Sequence, residues 1–235
     1  MAAKERGEAD DKLAQNEILA GLPASELDQL RPALEYQEFP QHSLLCDPEK
    51  TIKSGYFLTS GMASCLIPTS SGRSVEVALV GRAGFIGTPL VFGMERGLLR
   101  IVVQVAGDGY RIGAHEFQRL LPNAPTLSRM VGRYALMQGM QAAQTAACNR
   151  FHGLEQRLAR WLLMMQDRVG PQFSITQEYL AQLLGTGRPS VSIVASQMQR
   201  TGVIQYARGR MKVIDRRALE KLSCECYSAM QAVGA

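Results

Sequence analysis

The period of apolar residues changes twice along the chain. Residues 17–34 (EILAGLPASELDQLRPAL) carry apolar positions three and four apart, which predicts one or two short helices. Between residues 35 and 113 the pattern becomes short runs rich in β-branched and aromatic residues: SGYFLTSG, MASCLIPT, RSVEVALV and LRIVVQVAGDGYRIG. Gly and Ser clusters at 60–61, 70–73 and 81–84 separate them, as hairpin turns would. This spacing predicts an antiparallel sandwich or roll. From Ala114 the helical period returns. AHEFQRLL stops before Pro122, and a long helix follows to about Cys148.

That long helix carries two stripes. One runs Met130, Tyr134, Met137, Gln141, Gln144 and Cys148; the other runs Leu136, Met140, Ala143 and Ala147. Two stripes imply two packing surfaces, one on the chain's own sheet and one on the same helix of a second chain. The dimer surface is assigned to Met130, Tyr134, Met137, Gln141 and Gln144. Asn149 is read as the N-cap of the next helix, LEQRLARWLLMMQDRV, whose apolar face is Leu154, Leu158, Trp161, Leu162 and Met165. Gly170-Pro171 ends it.

Residues 175–204 (ITQEYLAQLLGTGRPSVSIVASQMQRTGVI) hold two helical patterns around GTGR. A helix-turn-helix needs a small residue where the helices cross, a left-handed position in the turn, and apolar residues three or four apart to dock the second helix. Ala181, Gly185, and Val191 with Val194 meet these needs in register, with Leu180 and Leu184 on the inner face. Pro189 lies in the first turn of the second helix, where a missing N–H costs little. The outer face offers Arg188, Ser190, Ser192, Ile193, Ser196, Gln197 and Arg200, a short polar and cationic set suited to a major groove, with Ser196 and Gln197 equally suited to plain solvation. Arg188 can pair with guanine or phosphate, and Ile193 can touch a thymine methyl. GVIQYARGRMKVID then predicts two strands, Val203–Ala207 and Met211–Ile214, whose turn carries Arg208 and Arg210 toward phosphate. Asp215 is the expected cap of one final helix, RRALEKLSCECYSAM.

Charge supports this division. Residues 1–149 carry 14 Lys+Arg and 15 Asp+Glu, whereas residues 150–235 carry 12 and 6. A basic module beside a neutral one suits a polyanion partner. No apolar run reaches the roughly 18 residues that span a bilayer, so a cytoplasmic protein with no membrane partner is expected. Five cysteines at wide spacing argue against a disulfide framework. With three histidines, no H-E-x-x-H, no C-x-x-C and a lone Cys224-x-Cys226, no metal is expected, and Cys148 is read as an inert buried thiol. No nucleophile–base pair or phosphate-cradling Gly loop is found, so catalysis is not expected.

With GYFLTSGMASCL, GRAGFIG, the long helix, RLARWLL and the helix-turn-helix with its wing, residues 17–222 resemble the Crp/Fnr family of bacterial transcription regulators. The resemblance implies an α+β chain with four segments: a mobile tail at 1–16, a cyclic-nucleotide-binding-like β-roll sensor at 17–122, a dimerisation helix at 123–148 and a winged helix-turn-helix DNA-binding domain at 149–235. It further implies a homodimer on pseudo-palindromic double-stranded DNA in contact with RNA polymerase. The base-reading positions fall on Arg188, Pro189, Ser192 and Ile193. Pro189 replaces a common Glu and Ile193 a common Arg, so the expected site differs from the family's best-known TGTGA half-site. Cyclic-AMP binders carry a Glu where this chain has Phe85, and an Arg-Ser pair where it reads ERGLLR, with Arg96 and Arg100 nearby. The phosphate cradle is therefore incomplete, no cyclic-AMP response is expected, and the effector is left open. No cysteine cluster precedes Cys46, which argues against an N-terminal iron–sulfur cluster; His42 and His115 lack support as haem ligands. The alternative is a small-molecule or redox sensor whose winged helix contacts protein instead of DNA.

Overall fold

The computed structural model describes residues 12–234. Its described α-helices of four or more residues are α1 (Glu17–Ala20), α2 (Ala24–Leu30), α3 (Ala114–Leu120), α4 (Pro125–Phe151), α5 (Leu154–Val169), α6 (Gln177–Leu183), α7 (Arg188–Arg200), α8 (Arg216–Leu222) and α9 (Cys226–Gly234). The strands are β1 (Glu35–Phe39), β2 (Leu44–Cys46), β3 (Ser54–Leu58), β4 (Met62–Pro68), β5 (Ser74–Val80), β6 (Arg100–Val105), β7 (Gly107–Gly113), β8 (Gln172–Ser174), β9 (Ile204–Ala207) and β10 (Arg210–Val213). They form three sheets, ordered β1-β7-β3, β2-β6-β4-β5 and β8-β10-β9. The expected α+β class, with an N-terminal antiparallel roll, a long helix and a C-terminal winged helix-turn-helix, is the observed one.

The described residues divide into two compact units. One runs to Cys65 and resumes over Leu79–Gln138; the other takes Leu66–Ala78 and everything from Gly139 onward. The first unit is built on the roll. Phe57, Phe85 and Phe117 stack in its centre, with Phe57–Phe85 and Phe85–Phe117 centroids 4.6 and 4.8 Å apart. Leu19, Leu30, Ile112, Leu127 and Val131 close around them. Three aromatic rings in van der Waals contact dominate this core, because each removes more apolar surface from water than an aliphatic side chain.

Part of the expected N-terminal tail is ordered core. Residues 1–11 lie outside the described residues, but Leu13 is buried in the apolar cluster and Asn16 is fully buried. The Asn16 Oδ1 accepts the N–H groups of Ile18 and Leu19, while Nδ2 donates to the Leu58 and Gly84 carbonyls at 3.0 and 3.1 Å. One amide thus caps α1 and ties it to the roll. The hydrophilic composition hid this, since four satisfied hydrogen bonds make a buried amide tolerable.

The long helix also departs from expectation. It continues through Asn149 to Phe151, so Asn149 is not an N-cap. The break falls at Gly153, whose N–H is accepted by Gln156 Oε1 at 3.1 Å as α5 begins. On α5, Leu158, Trp161, Leu162 and Met165 are buried as expected, and Leu154 is half-buried.

Candidate nucleic-acid interface

The second unit assembles a helix-turn-helix from local signals. Thr176 caps α6, its hydroxyl accepting the Tyr179 N–H at 3.1 Å. Leu180, Ala181 and Leu184 face inward, with Leu180 wholly buried and Ala181 at 3% exposure where the helices cross. Gly185 then takes φ +62°, and the Thr186 N–H reaches back to the Ala181 carbonyl at 2.9 Å. This left-handed C-cap turns the chain and satisfies orphan carbonyls, a conformation strained for any side chain. Helix α7 starts at Arg188 and docks through Val191, Ala195 and Met198, all buried. Val194 is only half-buried; Ala195 and Met198 carry the docking that the sequence assigned to it.

Docking that face leaves the opposite one to solvent. Arg188, Pro189 and Ser190 are exposed in the first turn, Ser192 is half-buried, and Ile193 is 68% exposed. Ser196, Gln197 and Arg200 continue the exposed face. Ile193 is a single apolar residue on an otherwise polar face, where it is free to make an apolar contact.

Strands β9 and β10 form the wing on α7's C-terminal side, with Arg210 opposite Ala207. Arg208 and Gly209 make the turn at φ +49° and +76°, the geometry of a two-residue hairpin. Met211 and Val213 point into the unit, so Arg208, Arg210 and Lys212 point out. The sequence reading missed β8, which adds a third strand through Phe173 opposite Met211. A groove of about 470 Å³, lined by Thr176, Gln177, Glu178, Arg188, Tyr206 and Gly209, joins the start of α7 to the wing. Tyr206 braces it: its N–H donates to Gln199 Oε1 at 2.8 Å and its hydroxyl to the Ile175 carbonyl at 3.0 Å. Burial raises the Tyr206 phenol above its ordinary value, so it remains a donor at neutral pH.

The tip of the β4–β5 hairpin belongs to this unit, which no sequence signal disclosed. Gln182 on α6 donates to Ser74 Oγ at 2.6 Å, and the Trp161 indole donates to Glu76 Oε1 at 2.7 Å. These bonds span 108 and 85 residues, far beyond any local pattern.

The profile of the Crp-like helix-turn-helix domain matches residues 156–222. Residues 156–222 thus carry a Crp-like helix-turn-helix domain, and the chain shares its fold with solved regulators of the Crp/Fnr family. Solved structures of the same fold include the c-di-GMP-responsive global regulator CLP of Xanthomonas campestris, 16% identical, with a TM-score of 0.68 over 82% of this chain and 100% of that one. FixK2 of Bradyrhizobium japonicum is 14% identical, with a TM-score of 0.67 over 81% of this chain and 98% of its own. A CRP-family transcriptional regulator of Thermus thermophilus is 20% identical, with a TM-score of 0.65 over 80% and 96%. No curated protein matches the sequence. No described helix is long and apolar enough to cross a membrane.

Within this Crp/Fnr-type fold, part of the stripe assigned to the dimer surface packs within its own chain. Met130 and Tyr134 pack on the roll's own core: a methyl at Gly21 would collide with the Met130 thioether, and one at Gly84 with the Tyr134 ring. Met137 is half-buried. Gln141 is buried, and Gln144 donates to Cys226 Sγ at 3.0 Å. Leu136 and Met140 are the exposed apolar residues, at 64% and 46%. Both stripes have helical spacing, and only the position of the sheet decides which one it covers.

In the roll, Phe85 is fully buried against Phe57 and Phe117 and offers no acceptor. Arg100 is engaged by Asp47 at 3.2 Å, and Arg96 is exposed. The His115 side chain is 90% exposed.

A second constellation escaped the sequence reading, which expected no metal set. Cys148, His152, Cys224 and Cys226 place their ligand atoms within 4.8 Å of one another. The reason lies in two local departures. Helix α4 runs on far enough to present His152 one turn after Cys148, and the expected single C-terminal helix breaks between α8 and α9, turning Cys224 and Cys226 inward. Burial pushes the Cys148 thiol up to about 12.

Proposed function

We propose that this chain regulates transcription by binding pseudo-palindromic double-stranded DNA as a homodimer, without responding to cyclic AMP. The carrying observation is the docked α7: its apolar face is buried while Arg188, Pro189, Ser190 and Ile193 stand free beside the cationic wing tip. In this reading α7 enters the major groove and Arg188 bonds to a guanine edge or a phosphate. Ile193 covers a thymine methyl. Arg208 and Arg210 neutralise phosphates, and the excess of basic residues after position 150 adds long-range attraction.

Two copies pair through the stripe of α4 formed by exposed Leu136, Met140 and Ala143 and half-buried Ala147, whose four- and three-residue spacing suits a short coiled coil. Their recognition helices then meet half-sites about one helical turn, roughly 34 Å, apart. Contact with RNA polymerase follows from the regulator type, and the work is done in the bacterial cytoplasm. The aromatic filling at Phe85 supports insensitivity to cyclic AMP, since the phosphate and ribose need polar partners that this core does not supply.

Selection of bound duplexes from random DNA tests the proposal, with Arg188→Glu as the control. We expect a symmetric site, affinity falling steeply with salt, and at least tenfold weaker specific binding for the variant. Enrichment of TGTGA half-sites would contradict the assigned readers, and absent or salt-insensitive DNA binding would favour the protein-contact alternative.

A further inference from the structure

We propose that Cys148, His152, Cys224 and Cys226 form a mononuclear zinc site that fastens the C-terminal end of α4 to the junction of α8 and α9. Three of the four are cysteines at 3% exposure or less, clustered together. Cys148 and His152 are four residues apart on one helical face, and the His152 N–H still bonds to the Cys148 carbonyl at 3.1 Å. Cys224 lies between α8 and α9, Cys226 opens α9, and a turn from Tyr227 N–H to the Cys224 carbonyl at 3.1 Å directs both thiols to the same point.

The distances fit one tetrahedral ion. With Zn–S near 2.3 Å and Zn–N near 2.0 Å, a tetrahedron has S···S edges of about 3.8 Å and S···N edges of about 3.5 Å. Cys148 Sγ and Cys224 Sγ are 3.5 Å apart, as are Cys226 Sγ and His152 Nδ1. No two ligand atoms exceed 4.8 Å, so side-chain rotation of about 1 Å closes the set. An iron–sulfur cluster would spread the same ligands over several irons and so needs wider separation. A Cys148–Cys224 disulfide would use two groups and leave Cys226 and His152 without a role.

The surroundings match those of a zinc site as well. Glu225 Oε1 lies 3.1 Å from His152 Nε2; donation of the Nε2 proton to it leaves the Nδ1 lone pair aimed at the cysteines. Gln144 Nε2 donates to Cys226 Sγ at 3.0 Å, a bond that a thiolate accepts better than a thiol. Binding would release three thiol protons to solvent and transfer no electrons, giving three thiolates, one neutral imidazole and Zn²⁺ with a net charge of −1. Buried Arg160 supplies a neighbouring positive charge: Nη2 bonds to Thr145 Oγ1 at 3.0 Å, one turn before Cys148, and Nε and Nη1 have no hydrogen-bond partner.

The site is independent of the DNA-binding proposal, and its test does not use DNA. The full-length chain, reduced by a phosphine and stripped by a chelator, is titrated with Zn²⁺ and with Co²⁺. We expect one metal per chain, intense tetrahedral Co²⁺ bands and thiolate-to-metal charge transfer. Cys224→Ser and Cys226→Ser should retain less than about 0.1 metal per chain, and Cys46→Ser should match wild type. Glu225→Gln keeps all four ligands, so it remains informative even where a cysteine variant fails to fold. It should bind about 10–100-fold more weakly. No metal uptake by the reduced wild-type chain, an octahedral Co²⁺ spectrum without charge transfer, cysteine variants that bind as wild type does, or air oxidation to a Cys148–Cys224 disulfide despite stoichiometric Zn²⁺ would each overturn the assignment.

Discussion

Glu26 caps the long helix from the other end of the first unit: its Oε2 accepts the N–H of Leu127 at 2.9 Å, across 101 residues of sequence. Oε1 accepts the Thr126 N–H at 3.0 Å. Burial by itself would raise this carboxyl, but the two backbone donors and the Arg129 charge outweigh it and hold it below the ordinary carboxylate value of 4.5. The carboxylate is therefore worth most when ionised. Its contribution is complete above the unfolded value and fades as pH falls through the lower folded one. Replacing Glu26 with Gln should lower the unit's stability by about 1–2 kcal/mol at neutral pH. It should also flatten the acid limb of a plot of thermal midpoint against pH. An unchanged acid limb would show that the cap contributes nothing.

Phe85 should behave as a core residue and not as part of a ligand pocket. Phe85→Ala removes the middle ring of the Phe57–Phe85–Phe117 stack and should cost about 3–5 kcal/mol. Phe85→Glu should be no better and should not create cyclic-AMP affinity, because a lone carboxylate among aromatic rings has no donors to stabilise it. Calorimetric unfolding and nucleotide titration of both variants check this.

The two stripes of α4 should separate assembly from folding if the proposed interface is right. A Leu136→Glu, Met140→Glu double variant should elute as a folded monomer in light scattering, since both side chains are exposed in the single chain. Met130→Ala should instead lose roughly 2–3 kcal/mol of stability and keep the oligomeric state, because Met130 packs over Gly21. The reverse pattern would restore the Met130, Tyr134 and Met137 stripe as the interface.

Wing and recognition helix should differ in how salt affects their variants. Replacing Arg208 or Arg210 with Ala should weaken DNA binding alike for all sequences and reduce the slope of log affinity against log salt by about 1 each. Arg188→Ala should cost about 1–3 kcal/mol and relax preference at one base pair. Fluorescence anisotropy at several salt concentrations distinguishes the two.

Much of this protein follows from short-range rules that the sequence obeys openly. The Gly and Ser clusters marked the hairpins, and Ala181, Gly185 and Val191 marked the helix-turn-helix, because its steric demands act over one or two helical turns. The Arg208-Gly209 turn and the two-residue period beside it marked the wing for the same reason. The rest depends on which surfaces meet. Asn16 and Glu26 look like solvated polar residues until the Leu58 and Gly84 carbonyls, or the first N–H groups of α4, arrive as partners. The stripes of α4 have equal helical spacing, and only contact with the roll decides that Met130 faces inward and Leu136 outward. Cys148 and Cys224 stand 76 residues apart in the chain and 3.5 Å apart in space. A periodic pattern records the face a residue occupies on its own element, and burial, hydrogen-bond satisfaction and ligand convergence are set by the neighbouring elements, which that pattern does not encode.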